Sequence, residues 1–166
     1  AMLSWLLVEK LVAGHATTLG AASGAVAGLV AITPCAGYVG GMSPIIIGLA
    51  AGAICYGSLK LKNRLKLDDS LDVIAVHLVG GLFGSVVLGL FADTAVNPLG
   101  GDGLFYGGGF SLLGKQALAC VVVFVFSFAV TYVVAKVIDR TIGLRVSDDA
   151  ELVGLDQSQH SEAAYQ

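Results

Sequence analysis

Charge is scarce in this sequence. Only 13% of the 166 residues are charged, 56% are apolar, and the mean hydropathy is +0.86. A soluble domain carries about 25% charged residues, so this composition excludes a soluble enzyme domain and a disordered chain. The net charge of −3 leaves no basic footprint for phosphate, which excludes a nucleic-acid partner. Cysteine is scarce too. Cys35, Cys55 and Cys120 are odd in number, far apart and set among apolar neighbours, with no C-x-x-C spacing, so neither a disulfide framework nor a metal site is expected. Nor is there a nucleophile with a base, a carboxylate pair for acid–base work or a phosphate loop, and no enzyme and no cofactor are expected. No basic region precedes the first apolar run, as a secretory leader requires. The opening, Ala1-Met2-Leu3-Ser4-Trp5, reads as the end of a helix already under way, and the chain as a fragment.

What the sequence has is long runs without charge. Residues 11–59 contain no Asp, Glu, Lys or Arg, which is too long for one crossing of about 20 residues. A turn-rich stretch, Thr33 to Gly41, divides it. Spans are expected near 1–10, 17–32, 44–59, 71–92 and 112–140, forming a transmembrane bundle over 1–142, with a tail over 143–166. Ser43-Pro44 fits an N-cap followed by proline at the first helical position, Thr17 fits an N-cap, and Gly143 fits a helix stop. Phe124, Phe126 and Phe128 alternate as in a strand, but the length of their run argues for a helix facing lipid.

The charges orient this arrangement. Lys10, Lys60, Lys62, Arg64, Lys66, Lys136, Arg140 and Arg145 fall on one side and only Lys115 on the other. That asymmetry places those loops and the C-terminus in the cytoplasm. The segment Thr94–Gly109, with six glycines in sixteen residues, is then external. Gly20, Gly24 and Gly28 recur every four residues, as do Gly48 and Gly52, and Gly80 and Gly84. Small residues at this spacing let helix backbones approach closely within lipid.

Few ionisable groups lie near the spans. His77 sits inside an apolar run, where such a group either performs a function or bonds a neighbouring helix. Asp68, Asp69 and Asp72 come directly after the basic loop. Asp69 and Asp72 share one side of a first helical turn, where carboxylates cap free N–H groups and offset the helix dipole. The same position also fits the inner mouth of a pathway beneath His77. His15 fits a solvated loop residue.

Several segments together resemble the ammonium transporter family: AMLSW at 1–5, LGAASGAVAGLVAITPCAGYV at 19–39, DDSLDVIAVHLVGG at 68–81, GLFA at 89–92, GLRV at 143–146 and GLDQSQHSEAAY at 154–165. The resemblance implies an all-α polytopic membrane protein of the plasma membrane, of which this chain supplies the end of helix seven, helices eight to eleven and the cytoplasmic tail. It implies a homotrimer in lipid, each subunit with its own narrow apolar pore. His77 matches the second of two pore histidines, and Asp69 and Asp72 match acidic positions at the inner end of the same helix. Gly154, Leu155, Asp156, His160, Glu162 and Tyr165 match a regulatory tail at which PII-type signalling proteins dock. The chain departs from the family at Leu78 and Ser161, where glycine is common, and at His15-Ala16, where Lys-Pro is frequent.

The function this implies is transport of ammonium or ammonia. Burying the ammonium charge costs far more than burying neutral ammonia, and a neutral imidazole offers one donor and one acceptor to ammonia or to a passing proton. Two other readings remain: an ammonium sensor of the same family, and a truncated chain that inserts without conducting.

Overall fold

The computed structural model describes residues 1–163. All regular structure among them is helical. Helix α1 spans Met2–Ala13, α2 Thr18–Ile32 and α3 Ser43–Arg64. A π-helical segment, Ile74–Leu78, runs without a break into α4, Val79–Phe91. Beyond it lie α5, Ser111–Thr141, and two short helices, α6, Asp148–Val153, and α7, Leu155–His160. Four stretches are long and apolar enough to cross a membrane: Thr18–Cys35, Ser43–Arg64, Ile74–Phe91 and Ser111–Thr141. The chain is an all-α polytopic membrane protein, and the alternating phenylalanines of residues 124–128 lie within α5.

The described chain divides into two compact units, 1–121 and from Val122 onward. In the first, α1, α2, α3 and the π-segment with α4 pack against one another. Two apolar clusters hold them. Trp5, Ala27, Cys55, Tyr56 and Val76 form the cluster near the basic loops, with the Trp5 and Tyr56 rings edge to face at 5.6 Å. Cys35, Val39, Ile47, Val87, Leu88 and Ala92 form the other, near the glycine-rich segment.

The glycine ladder sets how near these helices come. A Cβ built on Gly24 of α2 would stand 2.7 Å from the Trp5 Cβ of α1. One built on Gly84 of α4 would run into the backbone carbonyl of Ala31 in α2. In lipid, such backbone contact supplies the dispersion energy that apolar side chains alone cannot, because lipid tails are as apolar as leucine.

The turns explain the ends. Thr17 caps α2, accepting from the Gly20 N–H at 2.8 Å, and its own hydroxyl donates to Glu9 at 2.9 Å. This clamps the α1–α2 turn. Ser43 is not the cap of α3. Met42 holds that position, and the buried Ser43 hydroxyl meets the Tyr106 hydroxyl at 3.3 Å. The proline pattern finds the start of the helix, but the serine is used to seat the external segment. That segment is fixed further by Asp93 N–H to the Tyr38 carbonyl at 2.9 Å and Thr94 N–H to Asp102 at 2.8 Å. Gly143, at φ 83°, ends α5 by donating to the Ile138 carbonyl at 3.1 Å.

Gly84→Ala should destabilise the first unit by about 1–3 kcal/mol, the usual cost of overpacking. Gly81→Ala adds a methyl where nothing lies within 4 Å, and should be neutral or stabilising by up to ~1 kcal/mol. Reversible unfolding in mixed detergent measures both, and equal effects would contradict the close α2–α4 contact.

Candidate functional site

The site grows from the end of α3. Lys62 lies seven residues after the buried Cys55, on the helix face that carries Ile47, Ala51 and Cys55 inward. Its stem is therefore drawn into the bundle, and the residue is only 7% exposed. A buried ammonium requires partners. Lys62 finds two: its Nζ donates to the Asp69 carbonyl at 2.5 Å and forms an ion pair with the Asp72 carboxylate. The chain reaches these positions through two residues in the left-handed region, Lys66 at φ 52° and Asp72 at φ 57°. Left-handed backbone costs a non-glycine residue about 1–2 kcal/mol, which the Lys62 contacts offset.

Asp69 caps the next helical segment. One carboxylate oxygen accepts from Val73 N–H at 2.9 Å and the other from Ile74 N–H at 2.8 Å. The Ile74 bond foremost, then the Val73 bond and the Lys62 charge, hold this carboxyl below its ordinary value of 3.8, against an opposing desolvation cost. The two aspartates thus divide the work. Asp69 satisfies the free N–H groups of the helix end, and Asp72 neutralises Lys62.

The helix so anchored begins with a π-turn over Ile74–Leu78, closed by Val79 N–H to the Ile74 carbonyl. A π-turn inserts one residue beyond the α-helical count, and such turns recur at functional sites. Here Ala75 and Val76 are buried, whereas His77 and Leu78 are exposed. The His77 ring makes no hydrogen bond to any described residue. Beside Val76, the Trp5 Nε1 and the Tyr56 hydroxyl are buried and also without a hydrogen-bond partner among the described residues. The structure thus brings Asp69, Asp72 and Lys62 into one knot, with His77 just beyond it on the same helix. Lys62 is the member that charge counting hides, because it reads as one more cation of a basic loop. Its seven-residue spacing from Cys55 is the signal that points to it.

The tail residues lie in the second unit. Ser147 caps α6, accepting from Ala150 N–H at 3.3 Å. Gly154, at φ 103°, turns the chain into α7, and the Ser158 hydroxyl reaches back to the Ala150 carbonyl at 3.3 Å. Leu155 and Asp156 open α7, His160 closes it, and Glu162 N–H returns to the Asp156 carbonyl at 2.9 Å. Ser161 sits at φ 55°, so glycine at this position would relieve a left-handed residue. Tyr165 lies outside the described residues. Among the described residues, no three His, Cys, Asp or Glu side chains gather as a metal would require.

Comparison with known proteins gives a consistent result. A family model described as "Ammonium Transporter Family" matches residues 1–165. An "Ammonium transporter" of Mycobacterium tuberculosis is 48% identical over 170 residues, covering 99% of this chain and 36% of that protein. The crystal structure of Candida albicans Mep2 superposes with a TM-score of 0.80 at 36% identity, covering 89% of this chain and 34% of that one. A structure titled "Sensor Amt Protein" superposes at 0.83 and 28% identity, covering 95% and 38% respectively. The chain therefore spans little more than a third of the length of these proteins.

Two outcomes test the knot. Lys62→Met should destabilise the first unit by about 3 kcal/mol, the low end for breaking a buried pair, and Asp72→Asn added to it should restore part of that loss. Detergent unfolding measures it, and an unchanged midpoint in the single variant contradicts the anchoring role. Because the folded carboxyl of Asp69 titrates below 3.8, its contribution is complete above that pH and is lost as pH falls through the lowered value. Asp69→Asn should therefore flatten the stability profile below about pH 4, and leave its shape between pH 5 and 8 unaltered.

Proposed function

This chain belongs to the ammonium transporter family, and we propose that it forms part of a transmembrane pathway for ammonium or ammonia, with His77 as the pore group. The observation that carries the reading is the position of His77: an ionisable ring on a π-turn within an apolar span, directly beyond the Lys62–Asp72 pair that anchors its helix. A charged ammonium ion loses its hydration on entering such surroundings, and neutral ammonia loses far less. The ring can donate to ammonia from one nitrogen and accept from it at the other, or hand on its proton. Asp69 and Asp72 serve the inner mouth indirectly, by fixing the helix that carries His77.

The remaining parts of the proposal rest on charge and on the tail. Eight of the nine basic residues fall on one side, which supports a plasma-membrane protein with those loops and the C-terminus in the cytoplasm. Family membership supports a homotrimer. The α6–α7 segment, with Gly154, Leu155, Asp156, His160 and Glu162, is the surface at which a PII-type protein would dock, and Tyr165 matches the same family tail in sequence. A sensor is the second reading, favoured by the likeness to a structure with that title.

The test is uptake of labelled methylammonium by cells lacking their own ammonium transporters. The chain is expressed alone, with the N-terminal part of a relative, and in that pair as His77→Ala. Uptake is expected from the pair, and should fall about 5- to 150-fold in the variant, the effect of leaving a hydrogen bond of ~1–3 kcal/mol unmade. Full uptake by the variant overturns the role of His77. No uptake by the pair, with both parts present in the membrane, favours the sensor.

A further inference from the structure

The knot before the π-segment already holds an ammonium group, that of Lys62. It enters from a different helix, α3, and is more than nine-tenths buried. Its Nζ is aimed at two acceptors, the Asp69 carbonyl at 2.5 Å and the Asp72 carboxylate. A lysine ammonium carries one charge and three N–H donors, which is what a free primary ammonium ion also presents. Acceptors that satisfy one therefore suit the other: a carboxylate for the charge, and oxygens at hydrogen-bond distance for the N–H groups. His77 follows Asp72 by five residues.

The carboxylate is not closed off. The Asp72 side chain is 25% exposed, and Lys62 engages only its Oδ1. Among the described residues, Oδ2 accepts no hydrogen bond. A small cation can thus reach Asp72 before Lys62 leaves it. Lys62 itself hangs by four methylenes from the last turn of α3, beside the exposed residues 63–66. A rotation of that stem carries its charge to water without unwinding the helix.

We propose, resting on the pathway reading of His77, that Asp72 and the Asp69 carbonyl form a site for a primary ammonium ion, which Lys62 fills as a tethered stand-in. Ammonium that accumulates at this end of the span takes the carboxylate, Lys62 swings out, and the tie between α3 and the helix of His77 slackens. The transported ion so loosens the anchor of its own pathway. The tether keeps Lys62 in place at an effective concentration of about millimolar or more, so displacement needs ammonium at a comparable level. Cations without N–H donors cannot bond the Asp69 carbonyl and are excluded.

The test uses the full chain in mild detergent. Its readouts are the melting midpoint and hydrogen exchange at the Val73 and Ile74 amides, both of which donate to Asp69. In Lys62→Ala, methylammonium chloride should raise the midpoint saturably, where equal concentrations of tetramethylammonium or sodium chloride do not. Asp72→Asn added to that variant should abolish the rise. In the unaltered chain, ~0.1 M methylammonium should speed exchange at the two amides about tenfold, the factor 1 + concentration/Kd for a Kd of about 10 mM. An equal response to tetramethylammonium, or no response to methylammonium, overturns the site. Rescue of Lys62→Ala without faster exchange in the unaltered chain overturns the displacement of Lys62. Should Lys62→Ala fail to fold, exchange in the unaltered chain decides alone. Neither readout is uptake: a chain that responds in this way but does not transport refutes the role of His77 and keeps the site, and the converse result refutes only the site.

Discussion

One ammonium group, that of Lys62, holds the end of α3 to the start of the helix that bears His77. Its aliphatic stem is drawn inward by the same helical face that buries Cys55, so the charge arrives where water cannot satisfy it. The loop then answers with a carbonyl from Asp69 and a carboxylate from Asp72. Both lie on the turn that launches the π-segment. The cap on Val73 and Ile74 and the left-handed backbone of Asp72 stem from that one requirement. The histidine's placement is thus set by a cation on another helix.

The bundle around this knot obeys a different constraint. Lipid gives helices no hydrophobic reason to associate, so contact depends on how closely the backbones approach. Gly24 lets α1 approach α2, and Gly84 lets α4 approach α2. The knot positions one end of the π-segment and α4, and the glycine contact fixes its middle. Between these two points, the π-turn takes up the extra residue.

Much of this is legible in the sequence, for identifiable reasons. Charge-free runs mark the spans because a charge within lipid is costly, and Thr17 reads as a cap because its hydroxyl can reach a main-chain N–H three residues on. Ser43 misleads, because the Ser-Pro pattern is blind to the Tyr106 hydroxyl 63 residues away that claims its side chain. Lys62 hides because a loop charge and a buried charge look the same until the helix face is counted. Asp69 and Asp72 allow two readings in sequence, and their bonding partners become visible only in three dimensions. The π-turn leaves no mark, since no residue type selects an i→i−5 bond over i→i−4. That Ser161 stands in left-handed backbone, where glycine would cost least, shows only in its φ.

The π-turn also bears on how the chain tolerates changes in length. Its surplus residue means that deleting one position within Ile74–Leu78 would convert the turn to plain α-helix while leaving the flanking segments at the same rotation about the axis. The Asp69 cap and the Gly84 contact would both survive. The same deletion a turn later, inside Val79–Phe91, would swing everything beyond it by about 100° and carry Gly84 off Ala31. The five residues around His77 are thus where this span can absorb a change in length, and the stretch after them is where it cannot.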